Sequence, residues 1–349
     1  MFEALVSLCL VADPTACREV LLPGFEASAQ STCAEALRAQ APDLVALFPT
    51  LAPGVPPRCG PVGTALDFEE AAPGVFVHLG RIAEPDRDNL GDVANIGFVI
   101  GQESVAVIDT GTTRAVGEGV WRAIRARTDL PVSHVILTHM HPDHVLGASV
   151  FVEAGAQVVA NAALARALLD RQANYLESIA TLVGPGAFVG TRAPRPDLAV
   201  EDRTQIDLGG GRILTLRTWP VSHTGTDLTV HDEGSGLLFA GDLVFQRHLP
   251  ALDGSLRGWQ RVMADMAALP VTRVVPGHGG PVLDWPDAAK PMQRYLDVLA
   301  ADTRQALDAG VRLGDAVLTI AESERPRWAL FDAYNPRNAT NAFTELEWE

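Results

Sequence analysis

Six residues constrain this chain more than any others. His139-Met-His-Pro-Asp-His144 sets three imidazoles and a carboxylate side by side in a sequence with only nine histidines among 349 residues. Neutral imidazole and carboxylate are ligands for zinc and other first-row metals, and the i, i+2 spacing of His139 and His141 lets an extended turn aim both rings at one ion. Asp143 and His144, next along, can aim at a second. A solvated turn with Asp143 as a helix cap would need no such run of histidines.

The surrounding pattern shows what delivers this turn. Apolar runs at 75–79, 96–101 and 104–109 read as consecutive strands and 113–128 has helical spacing; the β-rich run from Val132 to Leu137 then stops directly before Thr138 and His139. The alternation repeats. A long helix is expected over 162–183, strands at 205–219, 226–231 and 236–240 (the last ending at Gly241 and Asp242), a helix over 258–268, and a strand at 271–275 leading to Gly277 and His278. Each candidate ligand is expected just beyond a strand end, where loops on a rigid scaffold build sites. Strand and helix alternating in this way predict two packed sheets with helices on their outer faces, an αββα sandwich. Residues 287–322 are helical in pattern, and 335–349 are polar and aromatic. Asn338 opens an Asn-Ala-Thr sequon, a triplet too short to carry weight.

Residues 1–64 are expected to be a small N-terminal helical, Cys-containing segment with a linker, and 65–349 the main domain. Ala- and Leu-rich helical patterning, including Cys33 to Leu47, is interrupted by a Pro/Gly stretch over 49–63. All four cysteines, Cys9, Cys17, Cys33 and Cys59, fall here. That confinement predicts one or two disulfides in an oxidising compartment, with three pairings open, and there is no CxxC-type pair to favour structural zinc. The opening residues lack a basic stretch and carry Glu3 within an apolar run, so an intact secretory signal is not expected there.

The formal net charge is −16, Lys290 is the only lysine, and the arginines form no cluster, which argues against nucleic acid as partner and for a small-molecule substrate. No run approaches eighteen apolar residues, so no membrane span is expected. The pattern specifies no oligomeric state.

HMHPDH matches the HxHxDH motif of the metallo-β-lactamase superfamily, and further motifs follow in that family's order. Asp109 in Val-Ile-Asp-Thr-Gly resembles the buried aspartate beneath the metal loop, and His223 in Val-Ser-His-Thr-Gly the third histidine. Asp242 in Phe-Ala-Gly-Asp-Leu resembles the bridging carboxylate, and His278 in Pro-Gly-His-Gly the last ligand. The resemblance spans roughly residues 74–285. It implies a metallo-β-lactamase fold with two metal ions, Zn2+ first among the first-row metals. One ion is implied on His139, His141 and His223, and the other on Asp143, His144 and His278, with Asp242 and a hydroxide bridging them. Asp109 is implied to orient the loop without touching metal.

Departures narrow the implication. Asp242 stands where one β-lactamase group has a cysteine ligand and another has no bridging residue, which argues against penicillin degradation. Met140 replaces the glutamate of the flavodiiron HxExDH branch, and His223 lacks the flanking pattern of glyoxalase II enzymes. The run 245–259 is similar to exported zinc metallohydrolases associated with quinoprotein dehydrogenase and sulfur-oxidation gene clusters, which implies a periplasmic location.

The activity implied is hydrolysis of a small carbonyl compound (ester, lactone, thioester or β-lactam) by a metal-bridging hydroxide, and the chain has no GxSxG nucleophile elbow. Asp143, Asp242 and His248 are the expected catalytic residues; His248 follows Asp242 closely enough to line the pocket. The alternatives are a metal-containing protein that binds a quinone or similar cofactor, and a phosphodiesterase of the same fold, which the charge disfavours. His78, His134 and His231 fall in strand patterns and read as structural, and Trp259 as packing.

Overall fold

The computed structural model describes residues 1–349. Its N-terminal part corrects the expectation of a helical segment. Strands β1 (Phe2–Leu10), β2 (Cys17–Ala27) and β3 (Leu51–Pro61) form an antiparallel sheet in the order β2-β1-β3, and only Gln30–Ala39 and Leu44–Leu47 are helical. Ala and Leu favour helix locally, but Ala4, Val6 and Leu8 bury alternate side chains of β1, and pairing on both its edges overrides that propensity. The Pro/Gly stretch expected as a linker is β3 itself, an edge strand, the position in a sheet that tolerates proline. Of the three open cysteine pairings the structure has Cys9–Cys17, which staples the β1–β2 hairpin, and Cys33–Cys59, which ties the first helix to β3.

Two further sheets face each other. One contains β4 (Glu69–Ala72), β5 (Val75–His78), β6 (Ile96–Ile100), β7 (Val105–Ile108), β8 (Val132–Leu137), β9 (Gln157–Asn161) and β10 (Leu198–Val200), ordered β10-β9-β8-β7-β6-β5-β4. The other runs from β11 (Arg203–Asp207) through β12 (Ile213–Thr218), β13 (Leu228–Asp232), β14 (Leu237–Phe245) and β15 (Arg273–His278) to β16 (Leu283–Asp284).

The layering follows from side-chain alternation. In β7 and β8, Val105, Val107, Val135 and Leu137 pack with the Arg114–Arg125 and Leu164–Val183 helices on the outside, while Ala106, Ile108 and Ile136 face the second sheet. In β14, Leu238 and Ala240 join the outer core with the Leu256–Ala267, Ala289–Asp308 and Phe331–Leu346 helices, and Leu237 and Phe239 point inward. Strands buried on both faces read as unbroken apolar runs, which is why they were legible. The sheets approach closely: a Cβ on Gly97 would lie 2.2 Å from the Phe239 ring. The result is the expected αββα sandwich.

Three differences matter for the site. The segment 205–219 is a hairpin of β11 and β12, turning on three positive-φ glycines at 209, 210 and 211. Strand β14 continues to Phe245 through an irregular register with β15, so Asp242 sits within the strand, and His278 is the last residue of β15. The C-terminal residues, which showed no clear pattern, form the Phe331–Leu346 helix.

The N-terminal sheet is attached by buried ion pairs. Arg18 meets Glu118 at 2.7 Å, Arg122 meets Glu3 at 2.7 Å, and the fully buried Arg114 reaches Glu118, Glu153 and the Leu21 carbonyl.

Candidate metal centre

Strand β8 delivers Thr138 and His139, and the chain then turns into the short helix Pro142–Val145, with His141 as its N-cap and Pro142 at the first helical position, where the missing N–H is no loss. The opposite sheet supplies His223 from the turn after β12, Asp242 from β14 and His278 from β15. Gly277 is required beside them, since a Cβ there would come within 1.9 Å of Asp242 Oδ1.

All seven expected ligands converge. His139, His141, His223 and Asp242 form one group and Asp143, His144 and His278 another, the ligand atoms of each lying within 4.8 Å of one another. Asp242 faces both. Its Oδ1 is 3.1 Å from His144 Nε2, and its Oδ2 is 3.4 Å from both His223 Nε2 and His278 Nε2 and 3.6 Å from His139 Nε2.

Each ring is held from behind by an oxygen. His139 Nδ1 pairs with Thr138 Oγ1 at 3.0 Å, His144 Nδ1 with Asp109 Oδ2 at 2.8 Å, His223 Nδ1 with the Ala251 carbonyl at 2.6 Å and His278 Nδ1 with the Val93 carbonyl at 2.9 Å. His141 is reversed: its Nε2 meets Asp253 Oδ2 at 3.1 Å, and its Nδ1 faces His223 Nε2 at 3.0 Å. Such outer partners fix tautomer and ring orientation.

The inward atoms fit a metal. His139 Nε2, His144 Nε2 and Asp242 Oδ1 are buried without a hydrogen-bond partner, an arrangement that is costly unless something else satisfies them. Two imidazole nitrogens 3.0 Å apart likewise need a cation or a proton between them.

The electrostatics of the residues themselves agree. Burial drives His223 down to about 3 and His139 well below its ordinary value, so both are neutral and have a free lone pair. For His278 and His144 burial acts the same way, but the surrounding carboxylates together outweigh it, Asp242 first, then Asp143 and, for His144, Asp109, holding His278 at about 9 and His144 well above the usual range. Asp143 and Asp242 would be raised by burial, yet the neighbouring imidazoles keep both below the ordinary carboxylate value. The carboxylates are therefore ionised and balanced by protons on two of the imidazoles, protons that metal ions would displace.

His248 lies beside the cluster, its ring 4.7 Å from His278 and 5.0 Å from Tyr334; burial and the nearby His278 lower it to about 4. Asp109 sits beneath the loop and accepts from Thr138 N, Thr138 Oγ1 and His144 Nδ1, all at 2.8 Å. His78 is tied to Asp92 and His134 to Ser133; neither is in the cluster, nor is His231. Trp259 packs against His223 with ring centres 5.2 Å apart.

Two acidic residues of the site had no signal of their own in the sequence. Asp253, which also pairs with Arg171 at 2.6 Å, orients His141. Asp227 accepts from Ser222 Oγ, Thr224 N and Thr224 Oγ1, closing the turn that presents His223.

Residues 90–278 match the model of the metallo-beta-lactamase superfamily. The chain belongs to that superfamily. It is accordingly a hydrolase with a His/Asp metal-binding group. The superfamily match covers β6 to β15, strands of both facing sheets, and contains every convergent ligand. An acyl-coenzyme A thioesterase, MBLAC2 of Bos taurus, is 28% identical over 214 residues, covering 54% of this chain and 74% of the relative. A hydroxyacylglutathione hydrolase of Pseudomonas paraeruginosa is 30% identical over 176 residues, covering 50% of this chain and 56% of that protein's length. Among solved structures, a metallo-beta-lactamase from Pontibacter korlensis superimposes with TM-score 0.54 at 20% identity, covering 66% of this chain and 99% of that one, a likeness of fold.

Proposed function

We propose that the chain hydrolyses a small acyl substrate, thioesters ahead of esters, lactones and β-lactams, at a centre of two Zn2+ ions. The observation that carries this reading is the single focus of five imidazole nitrogens, drawn from both sheets and each ring held from behind by an oxygen, around the buried carboxylate of Asp242. His139, His141 and His223 would hold one ion and Asp143, His144 and His278 the other, with Asp242 between them. Such a pair of ions, when bound, supplies a water that ionises near neutral pH and an electrophile for the carbonyl.

The chain's own part is orientation and exclusion of water. Asp143 and Asp242 are committed as ligands, so neither serves as a free base. His248, neutral and hydrogen-bonded through Nδ1 to the Leu249 carbonyl, is left with Nε2 for contact with substrate beside Tyr334. All four cysteines are in disulfides, leaving no thiol nucleophile. The ranking of thioesters rests on the name of the thioesterase relative, and the net charge of −16 supports a small molecule over nucleic acid. Two disulfides support an oxidising compartment such as the periplasm, and no helix is long and apolar enough to cross a membrane.

The test is a substrate panel of acyl-coenzyme A, aryl ester, lactone, β-lactam and phosphodiester, run on protein whose metal content is measured. Two metal equivalents per chain, activity lost with chelator and activity restored by Zn2+ are expected. Turnover by rigorously metal-free protein, or a trapped acyl-enzyme, would overturn the reading.

A further inference from the structure

The loop between β14 and the Leu256–Ala267 helix has two faces tied to different parts of the molecule. Its inner face holds two of the histidines. The Ala251 carbonyl accepts from His223 Nδ1 at 2.6 Å, Asp253 N donates to the His223 carbonyl at 3.0 Å, and Asp253 Oδ2 pairs with His141 Nε2 at 3.1 Å.

Its outer face is held by the Phe331–Leu346 helix, which lies outside the superfamily match. Asn338, buried to 1% exposure, accepts from Leu252 N at 2.8 Å and donates to the Pro250 carbonyl at 2.7 Å, so its amide brackets Ala251. Asn341 donates to the Leu252 carbonyl, and Glu345 accepts from Ser255 Oγ at 2.7 Å and Leu256 N at 2.6 Å. Asn338 is itself fixed by Tyr295, whose hydroxyl accepts from its amide and donates to Asn335.

We propose that Asn338 and Asn341 are positioning residues for the metal centre, acting through the backbone of Pro250 to Leu252 to set how Ala251 and Asp253 hold the rings of His223 and His141. A carbonyl pinned on both sides cannot drift, and the direction of a ligand's inward nitrogen follows from the bond made by its outward one. The effect falls on the His141 and His223 half of the centre, because His144 and His278 lean on Asp109 and Val93, to which this helix makes no hydrogen bond. The proposal rests on the two-metal reading above.

The test measures the affinity of each zinc equivalent by chelator competition, together with the visible spectrum of Co2+-loaded protein. Asn341→Ala is an exposed change that leaves the fold intact. Asn338→Asp keeps the acceptor for Leu252 N and turns the donor toward Pro250 into a carboxylate oxygen. Each variant is expected to weaken one equivalent by about tenfold and to alter the Co2+ spectrum of that site while the other equivalent holds. In a His141→Ala background, Asn341→Ala should cause a smaller loss, the part carried by His223 through the Ala251 carbonyl alone.

Leu346→Ala, on the same helix without a hydrogen bond from its side chain to the loop, is the control for general loosening. Equal weakening of both equivalents, the same selective loss in Leu346→Ala, or unchanged affinities in both asparagine variants overturns the proposal. A wild-type chain that holds fewer than two metals instead overturns the reading beneath it, and is recognised before any substitution is made.

Discussion

Asp109 has a backbone φ of 59°, a left-handed conformation that Asp and Asn adopt more readily than other side chains. That tolerance makes Asp109→Asn a clean probe: the backbone is kept, while one acceptor oxygen facing Thr138 and His144 becomes an NH2 donor. Metal affinity at the His144 side is expected to fall 10- to 100-fold with little change in helical content, read by zinc competition and circular dichroism. His78 gives a pH prediction remote from the cluster. Burial lowers its affinity for a proton, but Asp92, 2.7 Å away, more than reverses this and leaves the value above the ordinary 6.5. Because the folded value is the higher one, the ion pair contributes its full stability below pH 6.5 and loses it as pH rises through the folded value. The urea midpoint of the wild type should therefore exceed that of His78→Gln most at low pH, with the gap closing above neutrality. A gap that widens with pH would show the sign to be wrong.

At the scale of elements, what was legible depended on how a strand is buried. β7, β8 and β14 are covered on both faces, and their runs of β-branched and apolar residues announce strands whatever they pair with. β1 has only nine residues, in which Glu3 and Ser7 interrupt the apolar side chains, and nothing local says that it pairs on both edges. The ligands at 139–144 were readable because imidazoles are scarce and clustered there, whereas His223, Asp242 and His278 were reached only through the order of motifs shared with the metallo-β-lactamase superfamily. Asp253 and Asp227 were not, since a carboxylate in a loop has no signature until the fold shows which ring or turn it meets. The disulfides now have assigned loops, and their effects differ. In the chain-entropy picture, closing the Cys33–Cys59 loop, with a separation of 26 residues, contributes about 3.5 kcal/mol, and closing Cys9–Cys17, with a separation of 8, about 2.5 kcal/mol. Cys33→Ser/Cys59→Ser is thus expected to expose the N-terminal sheet to protease at lower denaturant than Cys9→Ser/Cys17→Ser, with zinc stoichiometry unchanged in both. Limited proteolysis with metal analysis measures this.

For the whole molecule, the N-terminal sheet and the αββα body share a buried charge network, and Glu118 lies at its centre with Arg18 from one side and Arg114 from the other. Arg18→Ala leaves that buried carboxylate with one partner fewer, and a loss of about 3 kcal/mol in global stability is expected, measurable by denaturant unfolding. Metal adds to the same balance, since a ligand bound only by the folded state at a thousand times its Kd contributes about 4 kcal/mol. Chelation should lower the melting temperature, and zinc should restore it. The two sheets also divide the ligands between them, with four residues on the turn after β8 and three on the opposite sheet. A nascent chain that has made only the first half therefore carries His139, His141, Asp143 and His144 with no partners across the gap, and His278 emerges late in synthesis. A metal centre that needs all seven residues would therefore be completed only after both halves have been made and joined, and its occupancy would certify that junction.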